Sequence, residues 1–196
     1  MPWPAGHKQR TRERIVEAAA AAVRGRGLAG VRVEEVMAAA GLTHGGFYAH
    51  FAAKDDLLGP VVERASAETL EMMSRVAASV APARRAAAAI DAYLSPEHAA
   101  HPERGCPVAA LGPELIRADP KARRALSRSI RDRLAWFRQL LPRGRRQDDD
   151  VAVGALACML GGIVLARALG GEDSGAILDA CRRFLRRATE DAVDET

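Results

Sequence analysis

The chain's 196 residues, 48% hydrophobic and 28% charged, can bury a sizeable core in one domain or two small ones, and are too apolar for a disordered polyampholyte. Forty-one alanines against eight aromatic residues favour helices over sheets, so the expected fold class is all-α. The net charge of +4 is unevenly spread: residues 1–32 hold seven Lys or Arg against two Glu, a balance suited to a polyanionic partner.

In chain order, Ile15, Ala18, Ala19, Ala22 and Val23 recur at helical spacing until Gly25 and Gly27, predicting an amphipathic helix over residues 8–26. Short helices are expected over 33–40, ended by Gly41, and over 44–50, where Thr43 is suited to N-capping. A long helix over 54–80 is closed by Pro82, and shorter ones cover 83–94 and 107–117. The intervening SPEHAAHPERGCP holds three prolines that forbid a continuous helix. Helices over 121–141, 148–169 and 174–190 bring the expected count to nine. Ten basic residues against one Asp in 121–146 read as a solvated helix face.

Three cysteines, at 106, 158 and 181, make no disulfide framework and fit a reducing compartment. The opening MPWPAGHKQRTRER has no apolar stretch of signal-peptide length, so a cytoplasmic protein is expected. Val151–Ala166 is uncharged, but its 16 residues fall short of the about 20 that a membrane span needs, so no membrane partner is expected.

Function concentrates in AAAGLTHGGFYAHF, residues 38–51. A short helix ending at Gly41, a tight turn through Leu42 and Thr43, and a second short helix make the helix-turn-helix plan, whose second helix enters the DNA major groove. Leu42, Phe47 and Phe51 are spaced to pack inward. Gly45 and Gly46 inside a helix each cost about 1 kcal/mol relative to Ala. Lys54 opens the next helix, where the macrodipole disfavours a cation. A DNA backbone against this surface accounts for both, because Gly admits close approach and Lys neutralises a phosphate.

These residues resemble the DNA-binding domain of the tetracycline-repressor (TetR) family of bacterial regulators, through TRERIVEAA at 11–19, RGLAGVRVEEVMAAAGLTHGGFYAHF at 26–51 and KDDLL at 54–58. The resemblance implies a DNA-binding domain over residues 1–53 and a ligand-binding and dimerisation domain over 54–196. It also implies roles by position: Thr43 caps the recognition helix and touches a phosphate, and His44 and Gly45 face base edges. Tyr48 and His50 contact the backbone, and Lys54 neutralises another phosphate. Arg32 stands where the family usually has Ser or Thr, and Ala53 where it has a small polar residue. Two helix ends are thus less well capped, or Arg32 itself reaches a phosphate. The segment YLSPEHAAHPERGCPVAALGPEL, 93–115, is similar to one that closes a ligand cavity in some of these regulators.

Enzymatic chemistry finds no motif: there is no GxSxG elbow, no GxGxxG or GxxxxGK[ST] phosphate loop and no evident pair of carboxylates. His98, His101 and Cys106 have spacing a metal could use, yet no fourth ligand is evident, and neither metal nor cofactor is expected. Cys106, at an expected helix start between Gly105 and Pro107, sits where a helix dipole would lower a thiol pKa, so a thiol-reactive inducer stays open beside a buried packing role. A ligand cavity is expected from Met72, Tyr93, Cys106, Trp136, Phe137 and Met159. Gly154, Cys158, Gly161 and Leu165, with Ile177, Cys181, Phe184 and Leu185, supply small or apolar faces for a homodimer. The expected protein is a dimeric repressor bound to a near-palindromic double-stranded DNA operator and released by an unknown small-molecule inducer. The alternative is a ligand-independent DNA-binding activator or architectural protein.

Overall fold

The computed structural model describes residues 6–145 and 149–189, and every regular element among them is helical. The α-helices are α1 (His7–Arg26), α2 (Val33–Ala39), α3 (Asp55–Ala78), α4 (Arg85–Tyr93), α5 (Pro96–Ala100), α6 (Pro107–Ile116), α7 (Pro120–Leu140), α8 (Asp149–Leu169) and α9 (Gly171–Thr189). Two expectations are corrected. Residues His44–Ala49 form a 3-10 helix rather than an α-helix, the narrower coil that short, glycine-containing segments adopt readily. The proline-rich stretch is not all loop: Pro96 starts α5 at its first helical position, and the Ser95 hydroxyl caps it by accepting from the His98 N–H at 3.1 Å.

The chain divides into two compact units. The first contains the residues up to Ala67 together with Pro102–Ser129. Its core is drawn from α1, α2, the 3-10 helix and α6, with Ile15, Met37, Phe47 and Leu115 fully buried. The end of α1 is fastened with care. Gly27 takes φ +75°, a conformation that favours glycine, and its N–H donates to Val23 O at 2.9 Å. The next N–H, of Leu28, donates to Glu114 Oε2 of α6 at 2.7 Å, and the Leu28 carbonyl accepts from Lys54 Nζ at 3.0 Å. At the start of α3, Asp56 accepts from the Ala53 N–H at 3.2 Å and from Lys121 Nζ at 2.5 Å.

The second unit contains Glu68–His101 and the residues from Ile130 on. Here α8 packs along α9, and α4 and α5 also pack against α9. Gly162 lets α8 and its neighbours approach closely: a Cβ there would lie 2.9 Å from Leu94 Cδ2 and 3.0 Å from Cys181 Sγ. By length and composition α8 could cross a membrane, but Ala155, Leu156, Met159, Ile163 and Ala166 are buried inside the unit.

His98 is buried in the same unit. Its Nδ1–H donates to the Tyr93 carbonyl at 2.6 Å, since a carbonyl can only accept, and its ring meets Tyr93 edge-on at 4.5 Å. Arg167 donates to the His98 and Ala99 carbonyls at 2.8 and 3.2 Å. Burial above all, reinforced by the positive charges of Arg167 and Arg133, pushes the imidazole pKa down to about 4 against the opposing Tyr93 hydrogen bond.

Candidate nucleic-acid interface

The turn after α2 shows why Gly41 is there. Gly41 has φ +67°, its N–H donates to Ala38 O at 2.9 Å, and the Leu42 N–H donates to Met37 O at 2.8 Å. That pair of bonds is a Schellman closure, which satisfies the last carbonyls of α2 and reverses the chain within two residues. Arg14 of α1 donates to the Ala40 carbonyl and fixes the turn to the rest of the unit. The 3-10 helix is then anchored by Phe47, which stacks on Phe51 with ring centroids 5.4 Å apart, while the Arg12 guanidinium lies 4.8 Å from the Phe51 centroid. Leu42, expected to pack inward, is only partly buried.

With Phe47 anchored inside, the opposite face of this short helix points to solvent. Tyr48 is 63% exposed and stands edge-on to both Phe47 and His44, at 5.4 and 6.1 Å. Thr43, His44 and Gly45 are exposed beside it, and a Cβ on Gly45 would meet nothing within 4 Å. Gly45 is therefore not required by internal packing. Thr43 occupies the N-cap position, but its hydroxyl makes no capping hydrogen bond, which corrects the capping role expected of it and leaves that hydroxyl without a backbone N–H to serve. Arg32 is likewise at an N-cap, of α2, with an exposed side chain that does not cap.

His50 closes the 3-10 helix at its C-cap. Its pKa is lowered, first by burial and then by the charges of Lys8, Arg12 and His7. The positive corner made by the start of α1 thus favours the neutral form of this imidazole, and its Nδ1 has no hydrogen-bond partner among the described residues. Lys8 and Arg12 are the contributors that motif reasoning passed over, although the basic excess of residues 1–32 signalled them. Lys54 is half-buried, and its contact with Leu28 O gives it a structural duty at the end of α1.

The residues expected to line a ligand cavity fall in both units. Cys106 is fully buried at the N-cap of α6, in the first unit. Tyr93, Phe137 and Met159 are buried core of the second unit, where Met72 and Trp136 are half-buried. His98 and His101 belong to the second unit too, and among the described residues no group of three or more His, Cys, Asp or Glu could hold a metal ion. Of the expected dimer residues, Gly154, Gly161, Leu165 and Phe184 are exposed and Ile177, Cys158 and Cys181 half-buried. Leu185 is 1% exposed, so it belongs to the unit's own core and leaves the proposed interface. Val153, Val164 and Leu169 are large exposed apolar residues on α8 that the spacing did not single out.

An anchored turn presenting an aromatic helix face to solvent, with Lys8 and Arg12 of α1 near its C-cap, has the geometry of a helix-turn-helix DNA-binding module. Residues 15–61 match the family model described as "Bacterial regulatory proteins, tetR family". The fold as a whole is shared with solved regulators. A TetR transcriptional regulator from Chloroflexus aurantiacus is 27% identical, with 92% of this chain and 94% of that one covered at a TM-score of 0.77. A TetR-family regulator from Agrobacterium tumefaciens is 20% identical, covering 94% and 100% at 0.76. The reduced form of E. coli NemR is also 20% identical, covering 93% and 100% at 0.77. No curated protein matches the chain.

Proposed function

We propose that the protein is a dimeric, cytoplasmic transcriptional repressor that binds a near-palindromic operator and leaves it when a small-molecule or thiol-reactive inducer binds. Residues 1–53 form the DNA-binding domain in this reading, and 54–196 the ligand-binding and dimerisation domain. The observation that carries it is the outward face of the 3-10 helix. His44 and Tyr48 are exposed beside a glycine that internal packing does not need, on a turn anchored by Gly41 and Arg14. His44 and Gly45 read base edges, while Arg32, Thr43, Tyr48, His50 and Lys54 serve phosphates.

A two-fold dimer sets two such helices in successive major grooves about 34 to 36 Å apart, which is why the operator is read as a palindrome. The exposed apolar residues of α8 and α9, Val164, Leu165, Leu169 and Phe184, support a second copy as the partner. An inducer that favours another spacing of the two reading helices weakens operator binding by a coupling of about 1 to 3 kcal/mol.

The test is fluorescence anisotropy of the purified protein with DNA from upstream of its own gene, over a salt series, with Tyr48→Ala and Lys54→Ala in parallel. Saturable binding that outcompetes random DNA, weakens linearly in log salt and drops in both variants supports the reading. Equal affinity for random DNA refutes the sequence-specific repressor in favour of an architectural role, and absence of binding at low salt refutes DNA recognition.

A further inference from the structure

The second unit carries a cleft of about 720 Å³, where the 3-10 turn Pro82–Arg84 enters α4, the end of α7 meets the turn after it, and the last turns of α9 pass. That volume lies within the range of small-molecule sites. Among the described residues its charged lining is Arg84, Arg85, Arg143 and Arg186 against Asp91. Arg186 already satisfies Asp91, donating to its two carboxylate oxygens at 2.8 and 2.7 Å.

Arg84, Arg85 and Arg143 therefore line the cleft with no acid left among its described lining residues to neutralise them. The side chains of Arg84, Arg85 and Arg143 make no ion pair or hydrogen bond among the described residues, and Arg85 Nε is shielded from water as well. The α4 N-terminus opens here too, with no side-chain cap and no acid in its first turn, and adds its positive dipole end. Ala86, Leu140 and Leu141 give the same cleft an apolar wall.

We infer that this cleft is a binding site for a small organic anion, a phosphate or carboxylate head on an apolar body. Arginine suits such a head because its planar fork donates two parallel hydrogen bonds to either oxyanion. The expected inducer residues Met72, Tyr93, Trp136, Phe137 and Met159 do not line this cleft, and the site does not depend on DNA binding. A protein that failed to bind any operator would still be expected to bind the anion.

Isothermal titration of the full chain with phenyl phosphate, benzoate, inorganic phosphate and benzyl alcohol, at ionic strength held constant with sodium chloride, tests it. One-to-one binding of phenyl phosphate or benzoate is expected, tighter than either inorganic phosphate or benzyl alcohol, and the tighter of the two heads identifies the ligand class. Arg143→Ala, on an exposed turn, and Arg85→Lys, which keeps the charge but loses the fork, should each weaken binding tenfold or more. Arg123→Ala, on an exposed position of α7 outside the cleft, should not. The inference is overturned by the absence of saturable binding to both aromatic anions, or by binding that Arg85→Lys and Arg143→Ala leave unchanged.

Discussion

Acid should loosen the second unit through one side chain. Folded, His98 takes up a proton only near pH 4, while the unfolded chain does so near the ordinary 6.5. Between those values the unfolded state holds more protons, so stability is intact above pH 6.5 and is lost as the pH falls toward 4. That gap is worth about 3 kcal/mol. His98 is 7% exposed, so little solvent screening reduces that figure. Carboxylates titrate in the same range and must be subtracted, which His98→Asn allows: the amide can still donate to the Tyr93 carbonyl but cannot be protonated. Urea unfolding followed by circular dichroism from pH 7 to pH 4 should show the wild type losing about 3 kcal/mol relative to the variant, nearly all of it below pH 6.5. Parallel curves for the two proteins would refute the buried, neutral imidazole.

Gly162→Ala should lower stability by about 1 to 3 kcal/mol, because its Cβ would press on the buried Leu94 and on Cys181; Gly175→Ala, in open space on α9, should stabilise by up to about 1 kcal/mol, both read by thermal unfolding. The Cys158 thiol, raised to about 11 by burial and by the adjacent Cys181, should react slowly with iodoacetamide at pH 7, its rate climbing about tenfold per pH unit to pH 10; a plateau near pH 9 in peptide mass spectrometry would contradict this. If α8 and α9 form the dimer face, Leu165→Asp and Phe184→Asp should each yield monomers in analytical ultracentrifugation, and a persistent dimer would move the interface elsewhere.

The long helices were legible because each carries several turns of apolar period, and the turn at Gly41 was legible because only one residue type suits its backbone. Six residues between Thr43 and His50 are too few for the period to separate a 3-10 helix from an α-helix, and two glycines weaken the local preference further. The prolines at 96, 102 and 107 were taken as breakers, yet Pro96 follows Ser95 in the order that opens a helix. On α9 the apolar positions allow two neighbouring faces: Leu178 and Leu185 turn inward, and Ile177 and Phe184 fall on the outer one. The basic run over 121–146 looked like a solvated helix face, and for Arg123, Arg124 and Arg131 it is one. Arg143 turns into a cleft whose other arginines lie some sixty residues before it and forty after, a grouping that only folding creates.

Lys54 spends one of its three N–H donors on the Leu28 carbonyl, and two remain. A free lysine at a protein surface samples many rotamers and gives up about 2 kcal/mol of that freedom when a partner fixes it. Here the fold has already confined the side chain between the end of α1 and the start of α3. In the proposed DNA-binding role, a phosphate arriving at this corner would meet a charge held ready, so the loss of freedom would be borne when the protein folds, once, rather than at each encounter with DNA.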